Sequence, residues 1–85
     1  MNNESTIRND AIRIGSNIRR LRIARDLRPQ DLIRELNLRG VNMTSFALSK
    51  IEADTQHIKA SQFKAIAEIL GCSADDLLKS ESEQA

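Results

Sequence analysis

Residues 43–53 read MTSFALSKIEA, and the reading of this stretch places the segments on either side of it. On a helix of about 3.6 residues per turn, Thr44, Ala47, Leu48 and Ile51 gather on one side. Phe46, Ser49, Lys50 and Ala53 face the other way. This is a short helix with one apolar stripe, and the Thr44 hydroxyl suits its N-cap. Phe46 breaks the pattern. The chain holds two aromatic residues, both Phe, and one of them falls on the polar face. Lone exposed apolar residues are common, so the neighbouring segments must show whether this one has a task.

Upstream lies LRPQDLIRELNLRG, residues 27–40. Pro29 fits the first turn of a helix, where its missing N–H does no harm. Gln30 and Asp31 complete that turn. Leu32, Ile33 and Leu36 form the apolar face, and Gly40 is a natural stop. VNM then makes a short turn into the helix capped by Thr44. Further upstream, AIRIGSNIRRLRIARD carries a stripe of Ala11, Ile14, Ile18, Leu21 and Arg25. That spacing predicts a helix capped by Asn9 or Asp10 and ending near Asp26. Gly15 weakens it, which points to a close packing contact.

Downstream, DTQHIKA is a loop. A helix follows over about 61–70, with Phe63, Ile66, Ala67 and Leu70 inward and Gly71 as its stop. Ser73 caps a last short helix, ADDLLK, whose early acids suit the helix dipole. Residues 1–9 read as a loose arm and 80–85 as a frayed tail. The expectation is an all-α domain over 10–79, with five short helices, no strand pattern, no repeat and no low-complexity segment.

A chain of 85 residues makes one small domain. One Cys, Cys72, allows no internal disulfide and no Cys-paired zinc site; it suits a reducing, cytoplasmic setting. No apolar run approaches a membrane span, and no signal-peptide core follows the N-terminus. Net charge is only +1, but its distribution is uneven. Residues 1–40 hold nine Arg and five acids; residues 41–85 hold four Lys and seven acids. An Arg-rich half suits phosphate, because the guanidinium fork matches its oxygens. It equally describes a solvated helix face.

The helices around 29–38 and 44–53, joined by a tight Gly-containing turn, read as a helix-turn-helix. The order IGSNIRRLRIARDL, QDLIREL, SFALSKIEAD and FKAIAEILGCSADDLL resembles the phage repressor/Cro type of helix-turn-helix domain, also called the xenobiotic-response-element type. The resemblance covers roughly residues 13–79 and is most specific in LSKIE and IAEILGCSADDLL, with nineteen residues from Glu52 to Gly71. Three positions depart from the family's pattern. The turn NLRGVNM is longer by about four residues, making this a long-turn variant. Pro29 stands where the family often places Gln, which leaves Gln30 or Arg28 to meet a backbone phosphate. Asp54 stands where the family has Gly; Asp tolerates the left-handed conformation better than most residues.

The resemblance implies a sequence-specific transcriptional regulator, a small repressor, whose third helix enters the major groove of double-stranded DNA. Phe46 then packs on a thymine methyl, and Ser45 and Ser49 meet base edges or phosphates. Lys50 reaches guanine or a phosphate, and Thr44 bonds a phosphate while capping the helix. Arg22 and Glu52 occupy the family's positions for an ion pair between the first and third helices. The alternatives stand beside these. Phe46 can fold over the long turn or meet another protomer, and Lys50 and the serines can be solvated. Ile12 and Ile23, opposite the main stripe of the first helix, are scattered surface residues or a protein contact. Family members read two half-sites as dimers, so a homodimer is one expectation. The rival expectation is a protein-interaction module on the same fold, such as an antitoxin or accessory factor with a protein partner.

No cofactor is implied. His57 is the only His and reads as an exposed loop residue; Cys72 reads as a small packing residue. Asp75 and Asp76 are helix-capping acids. With no Tyr, no phosphate-binding Gly loop and no metal-ligand cluster, the sequence gives no reason to expect an enzyme.

Overall fold

The fold is that of a computed structural model, which describes residues 13–79. The arm expected over 1–9, Ala11 of the expected stripe, Ile12 and the tail expected over 80–85 lie outside the described residues, and the first helix has Arg13 at its N-cap position, not the expected Asn9 or Asp10. The described chain is all-helical, with α1 at Ile14–Ala24, α2 at Pro29–Leu38, α3 at Ser45–Glu52, α4 at Ala60–Leu70 and α5 at Ala74–Leu78. α3 rests on α1 and α2, and α5 lies across α1 and α4.

Four of the helices stop in the same way. Asp26, Gly40, Asp54 and Gly71 follow α1, α2, α3 and α4 in turn, and each has positive φ. At each stop the next residue donates its N–H back into the last turn: Leu27 to Arg22 O, Val41 to Leu36 O, Thr55 to Lys50 O and Cys72 to Ala67 O. These bonds satisfy carbonyls that a helix end otherwise strands. Gly pays no Cβ penalty for this turn, and Asp is among the few other residues that enter it readily. α1 accordingly ends at Ala24, short of the expected Asp26, because Asp26 (φ 56°) has already left the helix.

The core is aliphatic. Ile18, Leu32, Leu36, Leu48, Ile66 and Leu77 are sealed from solvent, one or more from every helix. Two residues of the expected stripes are placed differently. Arg25 is exposed rather than buried; its Nε donates to Leu70 O, so its stem follows the core edge while its head ties α1 to the end of α4. Thr44 is exposed as well, because its backbone is extended (φ −123°, ψ 163°) and the helical wheel does not apply to it.

Buried polarity is satisfied across long sequence separations. Asn17, fully buried, donates its amide to Leu77 O at 2.8 Å and Lys79 O at 3.0 Å, holding the end of α5. α2 and α5 also carry acids in their first turns. Asp31 Oδ2 accepts from Arg28 N–H at 2.9 Å, and Asp76 Oδ2 accepts from Ser73 N–H at 3.0 Å. These backbone donors hold both carboxyls below the usual carboxylate range. A carboxyl depressed in the folded state adds stability above its unfolded pKa, and that stability is lost as pH falls through the folded value. Urea midpoints are therefore expected to fall as pH drops below about 4. The Asp31→Asn, Asp76→Asn double variant should start lower at neutral pH and show a shallower acid decline.

Candidate nucleic-acid interface

α3 is fixed at both ends and along its inner side. Its N-terminus is capped by Thr44, whose Oγ1 accepts from Ala47 N–H at 3.1 Å. The turn before it is clasped by the Asn37 side chain, which accepts from Met43 N–H at 3.2 Å and donates to Met43 O at 3.3 Å. The primary amide matches the donor–acceptor pair of a backbone unit, so one side chain sets the path of the long turn.

Arg22 on α1 and Glu52 at the end of α3 form a two-pronged ion pair, with Nε to Oε2 at 2.8 Å and NH2 to Oε1 at 3.0 Å. Both side chains are buried, at 8 % and 9 % exposure. Arg22 also donates to Leu27 O at 2.8 Å. The hydrogen bond with Glu52 raises the guanidinium's already high pKa, so the positive charge is permanent. A fork-to-carboxylate pair has one good geometry and therefore fixes the rotation of α3 against α1.

Asp54, just past α3, acts on α1. Its Oδ1 accepts from Gly15 N–H at 2.8 Å, and its Oδ2 accepts from Ser16 N–H at 3.2 Å and from the Ser16 hydroxyl at 2.8 Å. Residue Arg13, at the N-cap position of α1, makes no side-chain cap. A carboxylate from nearly forty residues downstream in the chain takes that role, where the positive end of the helix dipole favours it.

With its inner side fixed, α3 turns the other face to solvent. Ser45, Phe46 and Ser49 are exposed, and Phe46 is 73 % exposed. Lys50 is half-buried, and its Nζ lies 4.8 Å from the centre of the Phe46 ring. At the start of α2, Gln30 is exposed, and the Arg28 side chain, 76 % exposed, reaches Asp31 at 3.5 Å. Arg19 on α1 is exposed and sits about 40° round the helix from Gly15. Because Gly15 touches α3, Arg19 borders the α1–α3 seam. Arg20 lies well round from it. Twelve Lys and Arg stand against eight Asp and Glu within residues 13–79, so the described part carries +4 where the whole chain carries +1.

The remaining candidates lie apart from this face. His57 is exposed in the α3–α4 loop, and Cys72 is half-buried with its thiol pushed up by burial. Ile23 is exposed on α1. Among the described residues no group of His, Cys, Asp and Glu is placed to hold a metal ion, and no helix is long and apolar enough to cross a membrane. Family models, curated proteins and solved structures were compared with the chain, and none matches it.

Sequence reasoning missed Asp54, Asn17 and Asn37 as positioning residues. Asp54 was legible as a helix-ending residue, but nothing in its neighbourhood names α1 as its partner. Asn17 falls one residue before Ile18 on α1, and its polarity removed it from the apolar stripe.

Proposed function

We propose that the chain is a sequence-specific DNA-binding transcriptional regulator of the phage repressor/Cro helix-turn-helix type. α2 and α3 form the helix-turn-helix, and α3 enters the major groove. The observation that supports this is the division of α3. Its inner side is held by Arg22, Asp54 and the Thr44 cap, while Ser45, Phe46 and Ser49 are exposed on the outer face. A helix fixed this firmly suits base reading, where contacts must be placed within fractions of an ångström. Thr44, Arg28, Gln30 and Arg19 supply phosphate contacts, which set register and carry no sequence information, and Lys50 reaches guanine or a phosphate. Regulation follows by occupying a promoter. A homodimer would set two α3 helices about 34 Å apart on one side of the duplex.

The test is selection of random duplexes by the purified chain at about 150 mM salt, where non-specific binding is weak. Enrichment of one sequence is expected, as an inverted repeat if the protein binds as a dimer. Phe46→Ala should then weaken binding to that sequence about tenfold. Stability should change by less than about 0.5 kcal/mol, because the ring is largely exposed.

A second reading is favoured by the bare apolar side chains Leu38 (74 % exposed) and Phe46. On that reading the fold is a protein-interaction module, such as an antitoxin or accessory factor. A folded sample that enriches no sequence would favour it over the first.

A further inference from the structure

Phe46 and Lys50 lie one helical turn apart, and the ammonium sits over the ring at 4.8 Å from its centre. The Lys50 ammonium has no carboxylate partner among the described residues, so its close neighbour is an exposed aromatic face. Each end of this pair has an open side. The ring presents an apolar edge to solvent, and the ammonium keeps donors for which no hydrogen-bond acceptor stands among the described residues. Resting on DNA recognition by α3, we propose that Phe46 and Lys50 act as one reading element for a pyrimidine 5-methyl group on a base adjacent to a guanine. The ring covers the methyl, and the ammonium donates to guanine O6 and N7.

The distances favour neighbouring bases. Stacked bases are spaced about 3.4 Å per step, and two steps span about 6.8 Å. A charge 4.8 Å from the ring centre reaches the adjacent base once the ring is seated on the methyl. The major-groove edge supplies the matching chemistry, since thymine alone among the four bases carries a methyl there and guanine alone offers two acceptors side by side. Apolar contact selects the methyl whatever base bears it. Thymine next to guanine and 5-methylcytosine next to guanine are therefore the same target, and unmethylated cytosine and uracil are not. Binding thus depends on cytosine methylation at any half-site where cytosine takes the thymine position.

A pair that serves only to stiffen α3 would also place these residues at i and i+4. It would alter thermal stability and leave base preference untouched, which makes the two roles separable. The experiment starts from the sequence enriched by the full chain. Each thymine is replaced in turn by uracil, and the thymine beside guanine is also replaced by cytosine and by 5-methylcytosine with the partner base matched. Loss of the methyl should weaken binding about fourfold in both arms, the effect of one buried methyl-sized group. Phe46→Ala should bring both ratios to near one. Replacing the adjacent guanine by 7-deazaguanine, which removes the N7 acceptor, should weaken the wild type and leave Lys50→Met unchanged. Phe46→Ala should also reduce the 7-deazaguanine effect, because the ring positions the ammonium. An enriched sequence whose binding ignores every methyl overturns this inference and leaves DNA reading by α3 standing. No enrichment by a folded, helical sample overturns both.

Discussion

Replacing Gly15 by Ala lowers the melting temperature by roughly 10–20 °C, the shift that follows from about 2–3 kcal/mol in a domain of this size. On helix propensity alone the sign is opposite, because Ala in a helix interior is better than Gly by about 1 kcal/mol. Tertiary packing reverses it. A Cβ on residue 15 would stand 1.8 Å from the carbonyl oxygen of Ile51 and 2.8 Å from an Asp54 carboxylate oxygen. The Ile51 contact is with backbone, so no rotamer change relieves it. α3 has to move away from α1, stretching the Asp54 bonds to Gly15 and Ser16 and the Arg22–Glu52 pair. Overpacking costs about 1–3 kcal/mol and occasionally more; a backbone clash this close belongs at about 3–4 kcal/mol, so about 2–3 kcal/mol remains after the propensity gain of about 1 kcal/mol. Thermal unfolding followed by circular dichroism checks it. An unchanged or higher melting temperature would mean that α1 and α3 do not meet backbone to side chain at this point. If α3 reads bases, the variant should also lose sequence preference at temperatures where it is still folded.

Glu52→Ala should destabilise the domain by about 3–5 kcal/mol, much of what a protein this small has available. The effect comes less from the attraction lost than from the charge left behind. Arg22 is only 8 % exposed and cannot shed its proton, so without Glu52 its guanidinium keeps one carbonyl partner, Leu27 O, in a dry site. The double variant Arg22→Met, Glu52→Leu removes both charges and keeps the volume. It should lie within about 1–2 kcal/mol of the wild type, since a buried pair gains little net over well-packed apolar residues. Urea unfolding of the three proteins separates the two effects. Near-equal losses in the single and double variants would show that the pair is stabilising in itself. With the double variant folded, the geometric role of the pair becomes measurable: if α3 reads bases, a stable domain lacking the pair should bind DNA with less discrimination.

Much of the helix layout was legible from local rules. Pro29 at a first turn, Thr44 and Ser73 as caps, and Gly40 and Gly71 as stops placed α2, α3 and α5 within a residue of their observed bounds. These signals work because a cap or stop is satisfied by neighbours three or four residues away. The close contact at Gly15 was also readable, since an interior Gly in a helix calls for a reason. What connects the helices was less legible. Asp54 reaching Gly15, Asn17 reaching Leu77 and Arg25 reaching Leu70 join residues that only the tertiary fold brings together. Each is a polar side chain finishing a backbone task elsewhere, and a single sequence marks the side chain without its destination. The outward face of α3 was legible as an anomaly, through Phe46. The Lys50 ammonium over its ring required the structure.

The hold of Asn17 on the end of α5 also bears on how the protein is made. Asn17 leaves the ribosome long before its acceptor, for Leu77 follows it by sixty residues. At about 5–20 residues per second, that interval is roughly three to twelve seconds of translation. During it, the carbonyl partners of the Asn17 amide on Leu77 and Lys79 do not yet exist. α5, made after the other four described helices, therefore completes the packing of α1, and growing chains halted before Leu77 should remain open to proteases that the folded domain resists.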